Sequence, residues 1–355
     1  GVEVSSQTDL TRNGLDQPTG EANSGGVLSG LGVGLGYDAF GRLTSAGFPG
    51  HESLYQYDTG GRVWKVGDGS QWAEQIYQPN SWLVGEVKHR SAGGALTLHT
   101  RRAHDFLGRV TRVENRPGSL DAGTFDREYR FDLMGRRVEE GFPDGSRWGY
   151  GYDSQGRLAS GRKEWAGGAP VAGQQFEHAH DDAGNRTLRR WGGDAAGQGL
   201  RESVETVNPG NQLVSRTNPG SFDVMGLAPA AAQVLVNGLA SGVTRKGQYY
   251  HREVEVSNGA GAVSAPVSVV ASEGAQTVGT VNGRQFVAKG VEALEYDAEG
   301  NLTRDGRWVY EWDGENRLVG MESVPDGPLE SRLRLKFEQD WAGRRVRKRV
   351  YAWTG

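Results

Sequence analysis

Several stretches of this sequence hold residue types that do chemistry in other settings. His178-Ala179-His180-Asp181-Asp182 has the look of a metal cluster. Alternate residues on a strand share a face, so His178 and His180 can reach one ion with carboxylates beside them. Gly32-x-Gly34-x-Gly36 imitates a phosphate-cradling loop. Glu139-Glu140 places two carboxylates together, the raw material of acid–base work. Arg344-Arg345-Val346-Arg347-Lys348-Arg349 is the densest basic run and would suit an acidic partner.

Each has a plainer reading, and we prefer the plainer one throughout. The glycine run precedes a β unit instead of opening a helix, and it lacks the full phosphate-loop spacing. No general acid or base partner is evident beside Glu139-Glu140. The basic run keeps strand alternation around Val346 and Val350, as a solvated or cavity-facing strand does. His180 and Asp181 fill the same slots of a repeated phrase that His104 and Asp105 fill. We expect no catalytic, cofactor-binding or metal-binding residues, no cofactor, and no enzymatic activity. No Gly-x-Ser-x-Gly elbow, His-Glu-x-x-His pair or Walker-type loop occurs, and with no cysteine a thiol nucleophile is excluded.

The elements that must position these residues come from the repeated phrase. Tyr152-Asp153-Ser154-Gln155-Gly156-Arg157-Leu158 reads aromatic, Asp, two loose positions, Gly, Arg, aliphatic. It recurs from Tyr37, Tyr57, His104, Phe131, His180, Tyr296 and Trp312, with worn copies at Tyr77, Val207 and Gln339-Asp340. Repeats at such spacings decide the fold. The phrase is a turn between two strands. The aromatic ends one strand. Asp opens the turn with a carboxylate that can accept a backbone N–H two residues on. Gly supplies positive φ, and Arg and the aliphatic residue start the return strand. The Arg can also pair with the Asp. Phe142-Pro143-Asp144-Gly145 is a second kind of turn within a unit.

Composition agrees. Of 355 residues 56 are glycine and 36% are hydrophobic, which suits a turn-rich all-β chain. Charge is mixed, 40 basic against 44 acidic residues for a net −4, so no basic field calls for nucleic acid. No run approaches the ~18 apolar residues of a membrane helix.

The phrase lapses over residues 217–291. This interval holds compact β runs, at Val234-Leu235-Val236, Tyr249-Tyr250 into Val254-Glu255-Val256, and Val267-Ser268-Val269-Val270. Asn237-Gly238 and Asn258-Gly259 read as hairpin turns. We expect a small β-sandwich inserted at a ribbon loop. The expected organisation is a weakly patterned segment over 1–30, whose content is either partial repeats or a frayed end. A ribbon follows over 31–216, then the insertion over 217–291, then a second ribbon part over 292–355. Strand-like sequence running up to Trp353-Thr354-Gly355 suggests a segment of a longer protein.

The phrase Tyr-Asp-x-x-Gly-Arg-Leu at about 20-residue spacing resembles the YD repeat of the RHS family, over residues 36–213 and 292–350. That group includes bacterial RHS proteins, cocoon subunits of insecticidal toxin complexes, and teneurins. The resemblance implies an arc of a hollow β-shell that encloses a toxic C-terminal polypeptide, in a secreted or surface-delivered protein. Its partners would be that effector and the remaining shell segments. It carries the Tyr, Asp, Gly and Arg positions over as scaffold. The insertion is similar to the immunoglobulin-like insertions of some bacterial relatives. The sequence departs from the family in having no Asp-Pro, so self-cleavage is not assigned. An alternative is a surface adhesin that binds glycans or a receptor through exposed aromatics beside Arg.

Overall fold

The computed structural model describes residues 7–24, 29–118, 125–340 and 342–352. Trp353-Thr354-Gly355 and parts of the 1–30 segment lie outside the described residues. The described chain is strand and turn, with a 3-10 turn at Leu329–Ser331. No described helix is long and apolar enough to cross a membrane, which leaves membrane β-barrels unaddressed. Two compact units form, residues 1–146 and 147–355.

Each repeat turn has one geometry, and its residues explain it. At Asp38 the Gly41 N–H donates to Asp38 O (3.0 Å) and the Asp38 N–H donates to Arg42 O (2.9 Å). Gly41 sits at φ +75°. This is a type I turn closed by a left-handed residue and a bulge. The bulge falls at the aromatic, as at Gly36/Tyr37, Gln56/Tyr57 and Gly151/Tyr152. Two copies keep the backbone by placing Asn in the left-handed slot, the worn one at Val207 with Asn211 (φ 60°) and the one at Trp312 with Asn316 (φ 58°). The Tyr77 copy carries one residue more, since Gln78 N–H donates to Leu83 O.

The 1–30 segment contains a partial repeat. Strands Gln7–Arg12 and Pro18–Ser24 pair antiparallel. Their turn at Asn13 to Gln17 has the repeat's bonds, with Asp16 at φ 60°.

In each unit the repeat turns line one edge of an antiparallel ribbon, and successive turns are stitched together. The Tyr37, Tyr57 and Tyr77 hydroxyls donate to Pro18 O, Leu43 O and Val63 O at 2.7–2.8 Å. Arg42 lies over the Tyr57 ring and Arg62 over Tyr77, each at 4.3 Å, and Arg109 over Phe131 at 4.7 Å. In residues 147–355 the same stitch is made by a tyrosine, a tryptophan and a glutamine. Tyr296 OH donates to Leu213 O (3.0 Å), Trp312 Nε1 to Leu302 O (2.8 Å) and Gln339 Nε2 to Leu318 O (3.0 Å). This stitched edge is a spine. The opposite edge carries plainer turns such as Ser91 to Ala95, Trp165 to Ala169 and Asp194 to Gln198.

The Tyr296 bond reaches across the interval where the phrase lapses. Strand Leu213–Thr217 runs from the spine to the opposite edge. There it pairs with Val291–Ala293, Thr217 facing Val291. Between them lie two three-stranded sheets. Ser221–Leu227, Tyr249–Glu255 and Thr244–Lys246 form one. Gln233–Val236, Val263–Glu273 and Gln276–Val287 form the other. They share a core of Val224, Val234, Val236, Tyr250, Val269 and Ala271.

Asn237-Gly238 makes the expected hairpin turn, with φ of 50° and 74°. Asn258-Gly259 does not. Asn258 is buried, and its side-chain amide donates to Asn218 O (3.1 Å) and Ala288 O (2.8 Å). It clasps the neck where the chain enters and leaves, where satisfying two strand-end carbonyls outweighs its turn preference.

Candidate functional site

The residues flagged in the sequence are engaged locally. His178 and His180 do share a face of strand Pro170–His180, with ring centroids 6.2 Å apart. Asp181 turns away from them. Its Oδ1 accepts the Asn185 N–H (2.8 Å) and its Oδ2 the Asn185 side-chain amide (2.9 Å). Among the described residues no three His, Asp or Glu groups converge as metal ligands. Gly32, Gly34 and Gly36 lie in a strand, Gly32–Tyr37, between two others. A Cβ at Gly32 would stand 2.9 Å from Glu21 O, and one at Gly36 2.7 Å from Ser45 Oγ. Close strand approach therefore accounts for two of the three glycines.

Glu139 and Glu140 are adjacent on a strand and so face opposite ways. Glu139 pairs with Arg130 and Glu140 with Arg127, both at 3.4 Å. The basic run forms strand Arg345–Ala352. Glu338 answers both Arg347 (3.3 Å) and Arg349 (2.9 Å), and Arg345 lies over Phe337 at 5.0 Å. Arg344 belongs to the last repeat turn, with its Nε 2.6 Å from Asp340 Oδ2.

In the repeats the carboxylate is the busiest group. Asp153 Oδ1 accepts the N–H groups of Gln155 (3.0 Å) and Arg157 (2.8 Å), and Oδ2 accepts Arg157 Nε (2.6 Å). At Asp38, Asp58 and Asp313 the backbone N–H of the following Arg is the main cause holding the carboxyl below its ordinary range. At Asp105, Asp132, Asp153 and Asp340 desolvation pushes the carboxyl up. The Arg's backbone and guanidinium bonds outweigh it, so the net shift is again downward.

A depressed folded-state pKa stabilises the fold above the unfolded value, and that stability is lost as pH falls through the folded one. With an ordinary carboxyl near ~3.9, the melting temperature should hold steady above about pH 5 and drop steeply below about pH 4. Thermal melts across pH 2–7 check this, and a melting temperature that rises on acidification would contradict it.

Among the described residues of 147–355 lies an ionic cluster with every side chain at most 10% exposed. Arg201, on ribbon strand Leu200–Val207, makes a two-pronged contact with Asp223 of the insertion, Nη1 to Oδ1 at 3.0 Å. His251 Nε2 stands 2.7 Å from Asp223 Oδ1. Arg201 and His251 are buried, and Asp223 between them is nearly so. Burial pushes the Asp223 carboxyl up, and the bonds from His251 and Arg201 hold it below its usual range. Tyr249 OH donates to Ala172 O (2.6 Å) beside them.

An Asp–His pair is two-thirds of a nucleophile-activating relay. However, the neighbouring hydroxyl, Ser221 Oγ, donates to Glu253. The cluster is arranged as a lock between insertion and ribbon. No local pattern in strand Leu200–Val207 marks it, since Glu202 and Thr206 on the exposed face are as polar as Arg201, Ser203 and Glu205 on the shielded one.

That face continues as a row of rings. Tyr150 and Trp148 are 6.1 Å apart, Trp148 and Phe176 6.0 Å, and Phe176 and His178 5.1 Å. Burial lowers the His178 pKa, with Arg186 and Arg189 adding to it.

The sequence matches no family model and no curated protein. Among solved structures, a Photorhabdus luminescens Tc holotoxin pore is similar at 12% identity and TM-score 0.41, over 96% of this chain and 19% of that one. TcdB2-TccC3 is similar at 13% identity and TM-score 0.38, over 98% of this chain and 22% of that one. A porin-like protein from Bacteroides uniformis is similar at 9% identity and TM-score 0.23, over 70% of this chain and 95% of that one. The chain spans about a fifth of the toxin-complex chains. These likenesses are distant and carry no argument about function.

Proposed function

We propose that this chain is a non-enzymatic segment of an RHS-type shell, which shields a C-terminal effector polypeptide in a secreted or surface-delivered parent protein. One observation carries the reading. The repeat's reactive-looking groups are spent on turns and on the spine, and the spine runs on past the insertion through Tyr296 and Leu213. Such a chain is built to extend a wall. Strand Leu200–Val207, shielded on one face and open on the other, is what a wall strand looks like.

The test is limited proteolysis of the parent protein. The polypeptide that follows the ribbon should survive protease levels that degrade it when expressed alone. Equal cleavage in both settings sinks the proposal. The ring row from Tyr150 to His178 favours a second reading, a surface adhesin that stacks sugars on aromatic faces. A glycan array with no binding at high protein concentration removes it.

A further inference from the structure

The two loose positions of each repeat turn are its tips, and they differ in kind between the two units. In residues 1–146 four of the six described turns carry a large apolar residue there. Leu133 is 105% exposed, Phe106 95% and Phe40 84%, and Trp82, just past the Pro79-Asn80 tip of its longer turn, is 72% exposed. Leu107, Met134 and Leu15 are exposed beside them. In residues 147–355 the described tips are Ser154-Gln155, Asp182-Ala183, Pro209-Gly210, Ala298-Glu299 and Gly314-Glu315. Trp341 lies outside the described residues. The turn backbone asks nothing of these side chains, since the Asp, Gly and Arg set it, and the contacts of Phe40 with Arg42 (5.2 Å) and of Trp82 with Arg62 (5.9 Å) leave both rings exposed. Their apolar character in the first unit therefore has a cause outside the turn.

The tips form a row, because the spine stitches the turns of this unit to one another. Gln17 Nε2 donates to Gly41 O (2.9 Å), Arg62 Nη1 to Ser81 O (2.6 Å) and Arg109 Nη1 to Asp132 O (3.4 Å). Neighbouring turns are two strands apart, about 10 Å. Together the tips expose on the order of 1,000 Å² of apolar side chain. The largest patch on an ordinary monomer is ~300–600 Å², and a stable interface needs ~800 Å² from each partner. The ionic groups behind the tips are already paired, as Asp38 with Arg42 and Asp105 with Arg109, so the row makes no demand for an opposite charge.

The row has one gap. The turn at Asp58 carries Thr59-Gly60, with no bulky side chain, next to the turn that carries Trp82. We propose that this edge pairs with the same edge of a second copy of the chain, related by a two-fold axis between those two turns. Trp82 of each copy then fills the Thr59-Gly60 gap of the other. Phe40 meets Phe106 and Leu107, and Leu15 meets Leu133 and Met134. A two-fold interface must be self-complementary, and the order of large and small tips along this row is.

The experiment is sedimentation velocity on the whole chain over a concentration series. The wild type should dimerise, and Phe106→Ser with Leu133→Ser should weaken the dimer about 100-fold or more. Thr59→Arg should do the same, although it removes no apolar group, because it blocks the gap that takes Trp82. Gln155→Ser is the control and should leave the dimer intact. Matching far-UV spectra and melts show that the variants fold. A wild type that stays monomeric at ~100 µM, a concentration at which even weak specific pairs associate, overturns the proposal. So does a dimer indifferent to Thr59→Arg, and so does a monomer that co-sediments with phosphatidylcholine vesicles through these tips.

Discussion

Arg201→Ala should cost about 3–5 kcal/mol of stability where the insertion meets the ribbon, because it strands a nearly buried carboxylate. Asp223 is nearly buried, with His251 on one oxygen and Arg201 across both. Removing the guanidinium leaves the carboxylate with His251 as its main compensation. The substitution also takes a cation from beside the Trp191 ring, 5.6 Å away. Replacing the pair with matched apolar residues would be far milder, since a buried ion pair gains little net energy over good packing. Hydrogen exchange of strand Ser221–Leu227 is the measurement. A loss of protection smaller than about 1 kcal/mol, the level of an exposed pair, would show that solvent reaches the cluster and that it is no lock.

Val236→Asp should unfold the insertion outright. Val236 has no exposed surface and sits among Val234, Val269 and Tyr250. An unpaired carboxylate there costs more than about 4 kcal/mol, a large share of what so small a domain can hold. The ribbon should persist, since its spine bond from Tyr296 to Leu213 and the pairing of Leu213–Thr217 with Val291–Ala293 lie outside that core. Residues 217–291 contain no tryptophan, and Trp165 of the ribbon meets Tyr249 (5.5 Å) and Lys246 (5.3 Å) there, so in a Trp165→Phe background tryptophan emission reports on the ribbon. Emission should stay native-like while exchange over Tyr249–Glu255 and Val263–Glu273 becomes fast. If Leu213–Thr217 loses protection to the same degree, the insertion is part of the wall instead of an addition to it.

The spine turns were legible in the sequence because aromatic, Asp, Gly and Arg each serve two purposes there. They shape a turn and they reach the neighbouring turn. Free-edge turns do only the first, so Ser91-Ala92-Gly93-Gly94 forms the same backbone without the phrase, and the spine turn at Asn13 to Gln17 keeps both backbone and stitch with other residues. A search for the full phrase passes over both. Asn258-Gly259 was misread for the opposite reason. Its local preference for a turn is real, and a tertiary need at the neck overrode it. The Arg201–Asp223–His251 cluster joins residues 22 and 28 positions apart, and no local pattern ties them together. The apolar tips were in plain view but occupy the positions the phrase leaves loose. Only the exposed row of turns gives them meaning.

The departure point of the insertion has a practical consequence. It leaves at the plain edge, from Thr217, and returns to it at Val291. To the stitched edge, a two-sheet domain and a short glycine turn are the same thing: a way back. Any plain turn, such as Ser91 to Ala95 or Trp165 to Ala169, is therefore a port. A foreign domain with closely spaced termini can be spliced in there, and the ribbon will carry it as cargo with its stitched edge untouched.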